Sequence, residues 1–458
     1  MTAPAYATPP HGPTRRVWAW AAVVAVVSAA WFGSDLAGER HFVDESAFIA
    51  QAYFADLFAR GRTDDRAWLE YPAFDLPPLP KYLIGGALTV AGYPLPGQAD
   101  AWQWYGNTSY RAESPAMLVV ARWPSVLSGA LGCVAIFALG TLAFDLRAGL
   151  LAALFLMLNP LYRLLARRAM ADAPAEALIL VTAAVALWAW RGTLSGRWPI
   201  PARLAIGPVL GVLGGLAILT KLNGALGLMI VASWAVLALV LPGFPIEKKG
   251  WVLVEAAIAA PVAFATFVAL NPFMTAPAKG LPPELAQHVG TGLERRTEVV
   301  LSHRAQVSRE AQKLFPSYAL TTPIEKLKVV AVQGFGRFGL FGPRDHDSTK
   351  PYPRFDAHRD RGAWLWLPWV LAGAAWAVVR GGRQARAGQP PTAWAALLQA
   401  AVAFGTITAF IPLAWDRYVL SIQPGAALLA AGVASAAWAG AKPLWNGRTR
   451  PATDPHES

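Results

Sequence analysis

The chain has 458 residues, 55% of them hydrophobic and only 15% charged, against about 25% charged in a soluble domain. With 20 tryptophans and repeated apolar runs of about 20 residues, this excludes an ordinary soluble protein. One all-α polytopic membrane domain is expected. The net charge of +12 would suggest nucleic acid in a soluble protein. Here it reads as basic loops on the cytoplasmic side, so no nucleic-acid partner is expected.

Taken in order, apolar runs fall near 17–33, 117–143, 148–165, 174–190, 204–220, 224–241, 251–270, 363–380, 394–413 and 418–438. They predict about ten spans. The first, Val17 to Phe32 after Arg15-Arg16, has the look of a signal peptide, but the many later spans favour an uncleaved anchor. Leu79 to Tyr93 is short and contains Lys81, Gly85, Gly86 and Gly92. Charge decides its status. If it does not span and the N-terminus is cytoplasmic, the inner segments carry Arg15/Arg16, Arg147, Arg191/Arg197/Arg203, Lys248/Lys249, Arg380/Arg383/Arg386 and Lys442/Arg448/Arg450. Against these stand only Asp145, Glu247, Asp454 and Glu457. Every inner segment then obeys the positive-inside rule, and a span at 79–93 would invert every later loop. An interfacial or re-entrant helix is therefore expected at 79–93.

The domain reading is a single integral unit over 1–440 with a cytoplasmic tail at 441–458. It has two large outer loops, 34–116 and 271–362. In the second, Pro283–Lys313 and Pro323–Val332 read as amphipathic surface helices, and Phe341-Gly342-Pro343-Arg344 as a turn. No internal repeat is visible, which gives an inverted-repeat transporter no support. The lone Cys133 leaves no intrachain disulfide.

This topology collects polar residues at span ends on one side: Asp44 and Glu45, Arg122, Arg167, Arg168 and Asp172, Lys221 and Asn223, Asp416 and Arg417. Ionisable groups beside spans are costly and tend to mark function. Adjacent carboxylates facing several cations suit a site that removes a proton at one point and holds a phosphate at another.

The surrounding residues resemble the polyprenyl-phosphate-dependent glycosyltransferases of the GT-C type. The branch most alike comprises the bacterial relatives of protein O-mannosyltransferases and lipid A aminoarabinose transferases. Phe42-Val43-Asp44-Glu45-Ser46 matches the first-loop acidic motif. Asp75-Leu76-Pro77-Pro78-Leu79-Pro80-Lys81-Tyr82 is similar to the following proline motif. Ala166-Arg167-Arg168-Ala169-Met170-Ala171-Asp172-Ala173-Pro174 matches the Arg…Met-x-Asp element. Gly214 to Lys221 is similar to the fifth-helix signature, and Trp415-Asp416-Arg417-Tyr418-Val419-Leu420 with Pro424 to the late Arg-Tyr…Pro element. The resemblance covers 40–225 and 410–425. Leu76 departs from it, standing where the family often has His.

The resemblance implies a GT-C fold in a bacterial inner membrane, working on the periplasmic side. It implies a polyprenyl-phosphate-linked sugar donor, transferred with inversion to a lipid, glycan or protein acceptor. Asp44 is the expected general base; its alternative is an N-cap for a helix over Ser46–Ala59. Glu45 would position the acceptor or act on the base as a like charge, or simply be a first-turn acid. Arg417, Lys221 and Arg168 are the expected phosphate ligands. For Arg417 and Lys221 the alternative is a snorkelling cation, with Trp415 and Tyr418 beside Arg417 in an aromatic belt. For Arg168 it is an ion pair with Asp172, four residues on. Asp172, Lys81 and Arg122 are supporting candidates.

His41, His288 and His303 have no metal-ligand spacing, so no metal site is expected. No cofactor is implied with certainty, although Asp44 with Glu45 could hold a divalent cation. Trp102, Trp104, Trp364, Trp366 and Trp369 read as interface anchors. The rival functions are a flippase or transporter of lipid-linked sugars, and a non-catalytic membrane scaffold. A transporter needs polar groups at mid-membrane, and Glu176 and Glu255 are placed near span ends.

Overall fold

The computed structural model describes residues 15–278, 289–337 and 361–447. Among them there is no strand, and helices account for nearly all the regular structure. In chain order these are α1 (Arg15–Gly33), α2 (Val43–Ala50), α3 (Tyr53–Ala59), α4 (Tyr71–Asp75), α5 (Pro78–Val90), α6 (Gln98–Gly106), α7 (Pro115–Ala143), α8 (Leu146–Leu158) and α9 (Pro160–Ala166). They continue with α10 (Asp172–Leu194), α11 (Ile200–Thr220), α12 (Ala225–Val240), α13 (Ile246–Ala269), α14 (Leu293–Leu314), α15 (Pro323–Val332), α16 (Arg361–Arg386), α17 (Thr392–Phe410) and α18 (Gln423–Gly447).

Eight of the described helical stretches are long and apolar enough to cross a membrane, and α8 with α9 makes a ninth if that bent pair is one span. The remaining expected run, 363–380, lies in the 26-residue α16. The bend between α8 and α9 is 69°. Its cause is local: Pro160 opens α9, and Asn159 turns out of the helix to cap it, its Oδ1 accepting from the Tyr162 N–H at 3.0 Å. α5 has 13 residues, about 20 Å of helix, too short for a hydrocarbon core of about 30 Å.

The bundle packs α7 against α8 and α10, α11 against α13, and α18 against α8 and α16, while α1 lies along α7. The α11–α13 contact depends on a stripe of glycines. A Cβ at Gly207, Gly211 or Gly215 would come within 2.5–2.8 Å of Ile258, Val262 or the Ala263 carbonyl, so only glycine lets the two backbones approach this closely.

The second connecting segment is stitched to the chain ahead of α18. Leu320 N–H donates to the Pro412 carbonyl at 3.0 Å, and Ala414 N–H to the Tyr318 carbonyl at 2.8 Å. The expected surface helix at 283–313 begins at Leu293 among the described residues, and the one at 323–332 forms as α15. The turn at Phe341–Arg344, His288, the side chains of Trp364 and Lys442, and the charges from Arg448 onward lie outside the described residues.

Candidate active site

The Asp44 helix differs from expectation at its start. α2 begins at Val43, with Phe42 at the N-cap and Asp44 inside the first turn. Glu45, not Asp44, performs the capping, its Oε2 accepting from the Phe42 N–H at 2.9 Å. The helix sends its two acids opposite ways.

Glu45 is fully buried and saturated. Arg122 Nε donates to its Oε1 at 2.8 Å and Arg122 Nη2 to its Oε2 at 2.9 Å, and the Ala169 N–H donates to Oε1 at 2.9 Å. Arg122 also holds the Leu36 and Glu39 carbonyls at 2.7 and 3.0 Å. Beside it, Arg167 binds Glu39 at 2.9 Å and the carbonyls of Phe32, Ser34 and Asp35. These two arginines therefore fold the 32–45 turn. Neither Glu45 nor Arg122 is left to meet a substrate, and Glu45 has no oxygen free to join Asp44 on a divalent cation. Among the described residues, no group of three or more His, Cys, Asp or Glu could hold a metal ion.

Asp44 meets Arg417 in a side-chain ion pair, with the two side chains 30% and 23% exposed. The Arg417 guanidinium lies 5.0 Å from the Trp415 ring centre and 5.8 Å from that of Tyr418. Close by, Lys221 Nζ donates to Asp172 Oδ1 at 2.7 Å. Asp172 is buried and lies in the field of Lys221, Arg417 and Arg168. Arg168 does not make the helical ion pair with Asp172. Its guanidinium sits 4.5 Å from the Phe42 ring centre, and its Nε has no hydrogen-bond partner. Two carboxylates thus face three cations, with half-open access at Asp44, Arg417 and Lys221.

Tertiary structure, not sequence proximity, assembles this cluster. Asp44 comes from α2, Arg168 and Asp172 from the α9–α10 turn, Lys221 from the end of α11, and Arg417 from a 3-10 turn, Asp416–Ile422. Buried polar contacts hold that last turn. Ser421 Oγ donates to Glu176 Oε2 at 2.5 Å, Asn159 Nδ2 to Gln423 Oε1 at 2.8 Å, and Gln423 Nε2 to the Gly334 carbonyl at 2.9 Å.

Lys81 is not in the cluster. It points inward, fully buried, donating to the Pro72 and Ala73 carbonyls at 2.6 and 3.3 Å with its ammonium 4.7 Å from the Phe54 ring centre. Burial drives its pKa well below the ordinary value. Leu76 is partly buried and packs against the apolar cluster that includes Phe48 and Met170. Glu255 lies nine residues into α13, counted from Ile246, and accepts from Thr193 Oγ1 at 2.8 Å. Thr193 is the last residue but one of α10, so this contact lies near a span end, where the sequence places Glu255.

One polar centre was not singled out from the sequence. His303 Nε2 lies 2.9 Å from Asp75 Oδ1, and Tyr105 Oη donates to Asp75 Oδ2 at 2.6 Å. Gln51 Nε2 donates to Tyr105 Oη at 3.0 Å, and Arg304 Nη2 stands 3.7 Å from Asp75. Burial pushes the Asp75 carboxyl up, but the His303 hydrogen bond, the Arg304 charge and the Tyr105 hydroxyl outweigh it and hold it below the usual range. No spacing rule links positions 51, 75, 105 and 303. The only sequence signal was an acid two residues before the Pro-Pro pair.

A family model described as dolichyl-phosphate-mannose-protein mannosyltransferase matches residues 70–275. No curated protein matches the chain. Among solved structures, the archaeal oligosaccharyltransferase AglB from Archaeoglobus fulgidus, in complex with an inhibitory peptide and a dolichol-phosphate, superposes with TM-score 0.54 at 14% identity. That superposition covers 95% of this chain and 52% of AglB. ArnT from Cupriavidus metallidurans bound to undecaprenyl phosphate gives TM-score 0.48 at 17% identity over 96% of this chain and 67% of ArnT. The S. cerevisiae protein O-mannosyltransferase Pmt1-Pmt2 complex bound to the sugar donor gives 0.41 at 18% over 57% and 34%. The chain spans about half the length of AglB. The chain resembles the GT-C glycosyltransferases, and its fold is an all-α polytopic membrane fold of that type.

Proposed function

We propose that this chain transfers a sugar from a polyprenyl phosphate to an acceptor hydroxyl on the outer face of the membrane, with inversion. The observation that carries the reading is the Asp44–Arg417 pair lying next to Asp172, Lys221 and Arg168. In one step, the acceptor oxygen bonds to the anomeric carbon, the bond from that carbon to the phosphate oxygen breaks, and Asp44 takes the hydroxyl proton. Polyprenyl phosphate leaves with added negative charge, which Arg417, Lys221 and Arg168 are positioned to meet. The donor phosphate competes with Asp44 for Arg417, so donor binding frees the base. Asp172 orients Lys221, and Glu45 with Arg122 holds the turn from which α2 starts. The likeness to a mannosyltransferase family model over residues 70–275 and to a fold seen with dolichol-phosphate in AglB supports a lipid-linked donor.

The test is mass spectrometry of lipids, glycans and surface proteins from a deletion strain, complemented by wild type or by Asp44→Asn. Wild type restores a missing sugar and Asp44→Asn does not; restoration by the variant would overturn the assignment. The rival reading is a transporter of lipid-linked sugars. It predicts lipid-sugar flux in proteoliposomes without any acceptor, and the present reading predicts none.

A further inference from the structure

α2 is tied by four side chains. Asp44 meets Arg417, Glu45 meets Arg122, and Ser46 donates to Glu113 Oε1 at 2.6 Å. The fourth tie, Gln51 to Tyr105, leads onward through Asp75 to His303 on α14. α14 itself is anchored at three points. Arg296 holds the Phe273 and Ala276 carbonyls at 2.8 and 2.5 Å, His303 meets Asp75, and Gln312 Nε2 donates to the Pro412 carbonyl at 3.0 Å. Its buried residues Arg296, Val299, Val300 and His303 fall on one helical face. α14 packs on α4, whereas α2 packs on α5, α6 and α7. The hydrogen-bonded chain therefore links two helices that lean on different neighbours. Tyr71 and Phe74 close edge-on around the imidazole, at 5.3 and 5.4 Å between ring centres, and keep the dyad buried.

We propose that His303 is a positioning residue. Through Asp75 and Tyr105 it fixes Gln51 at the C-terminal end of α2, and so sets the helix that carries Asp44. The functional consequence rests on Asp44 being the base; the mechanical linkage does not. Each link can be cut separately, and buried hydrogen bonds of this kind change local opening about tenfold.

The experiment is hydrogen–deuterium exchange of the full chain in lipid nanodiscs. His303→Ala should raise exchange roughly tenfold both in 293–314 and in 47–54. His303→Gln, whose amide can still donate to Asp75, should return both towards wild type. Tyr105→Phe, which cuts the chain beyond Asp75, should raise exchange in 47–54 and leave 293–314 unchanged. If His303→Ala loosens 293–314 alone, or Tyr105→Phe leaves 47–54 at wild-type rates, the linkage is wrong. Should His303→Ala not fold, the glutamine and phenylalanine variants decide. Raised exchange in both segments of His303→Ala with sugar transfer at the wild-type rate would sink the base assignment and leave the linkage standing.

Discussion

Asp44 and Glu45 are neighbours, and each holds an arginine, yet the two pairs do different work. Glu45–Arg122 is buried at both ends, and the charged groups of both residues are fully hydrogen-bonded. Asp44–Arg417 is half open, rests against Trp415 and Tyr418, and has Asp172 and further cations beside it. A carboxylate–guanidinium pair walled off on every side is a fastener. The same pair left open next to spare cations can exchange partners, which is what chemistry on a phosphate requires. One residue of helix, about 100° of rotation, separates the two roles.

The comparison breaks most visibly in stability. Arg122→Ala leaves a buried, uncompensated Glu45 and should cost about 3–5 kcal/mol, seen as a large fall in Tm or a loss of folded protein in detergent. Arg417→Ala should cost about 1 kcal/mol or less, because its pair with Asp44 is partly solvated. Equal losses would erase the distinction. In activity the order reverses: Asp44→Asn should lower sugar transfer by about 10²–10⁴-fold while Tm barely moves.

Affinity sharpens the contrast further. Arg168 stacks on Phe42 with no carboxylate hydrogen-bonded to it, so Arg168→Leu should weaken undecaprenyl phosphate binding by roughly tenfold, read by titration in nanodiscs. The smallest effect concerns Asp75. Its folded pKa lies below the ordinary value, so the carboxylate stabilises the fold at neutral pH. That contribution is present above the unfolded carboxylate pKa and is lost as pH falls through the lower, folded value. The Tm gap between wild type and Asp75→Asn should therefore be constant from neutral pH down to the usual carboxylate range and shrink below it.

Much of the architecture was legible because membrane helices announce themselves by length and hydropathy, and because counting basic residues settled Leu79–Tyr93 against a span. The structure makes that segment the 13-residue α5. Asp44, Arg168, Asp172, Lys221 and Arg417 were legible as polar residues at span ends, and the structure brings them together. What was not legible is that the supporting cations are already occupied. Arg122, Arg167 and Lys81 look like Arg417 in sequence, but backbone carbonyls and acids already occupy them. Saturation is a property of the folded neighbourhood, invisible in a string of residues. The Asp75–His303 contact was out of reach for a similar reason, since 228 positions separate its partners and no helical or strand period joins them.

The most direct measurement pairs transfer with binding in Asp44→Asn. Removing the carboxylate that competes for Arg417 should abolish sugar transfer while undecaprenyl phosphate binds as tightly as in wild type or more so. Full transfer by the variant, or loss of lipid-phosphate binding together with transfer, would contradict the account.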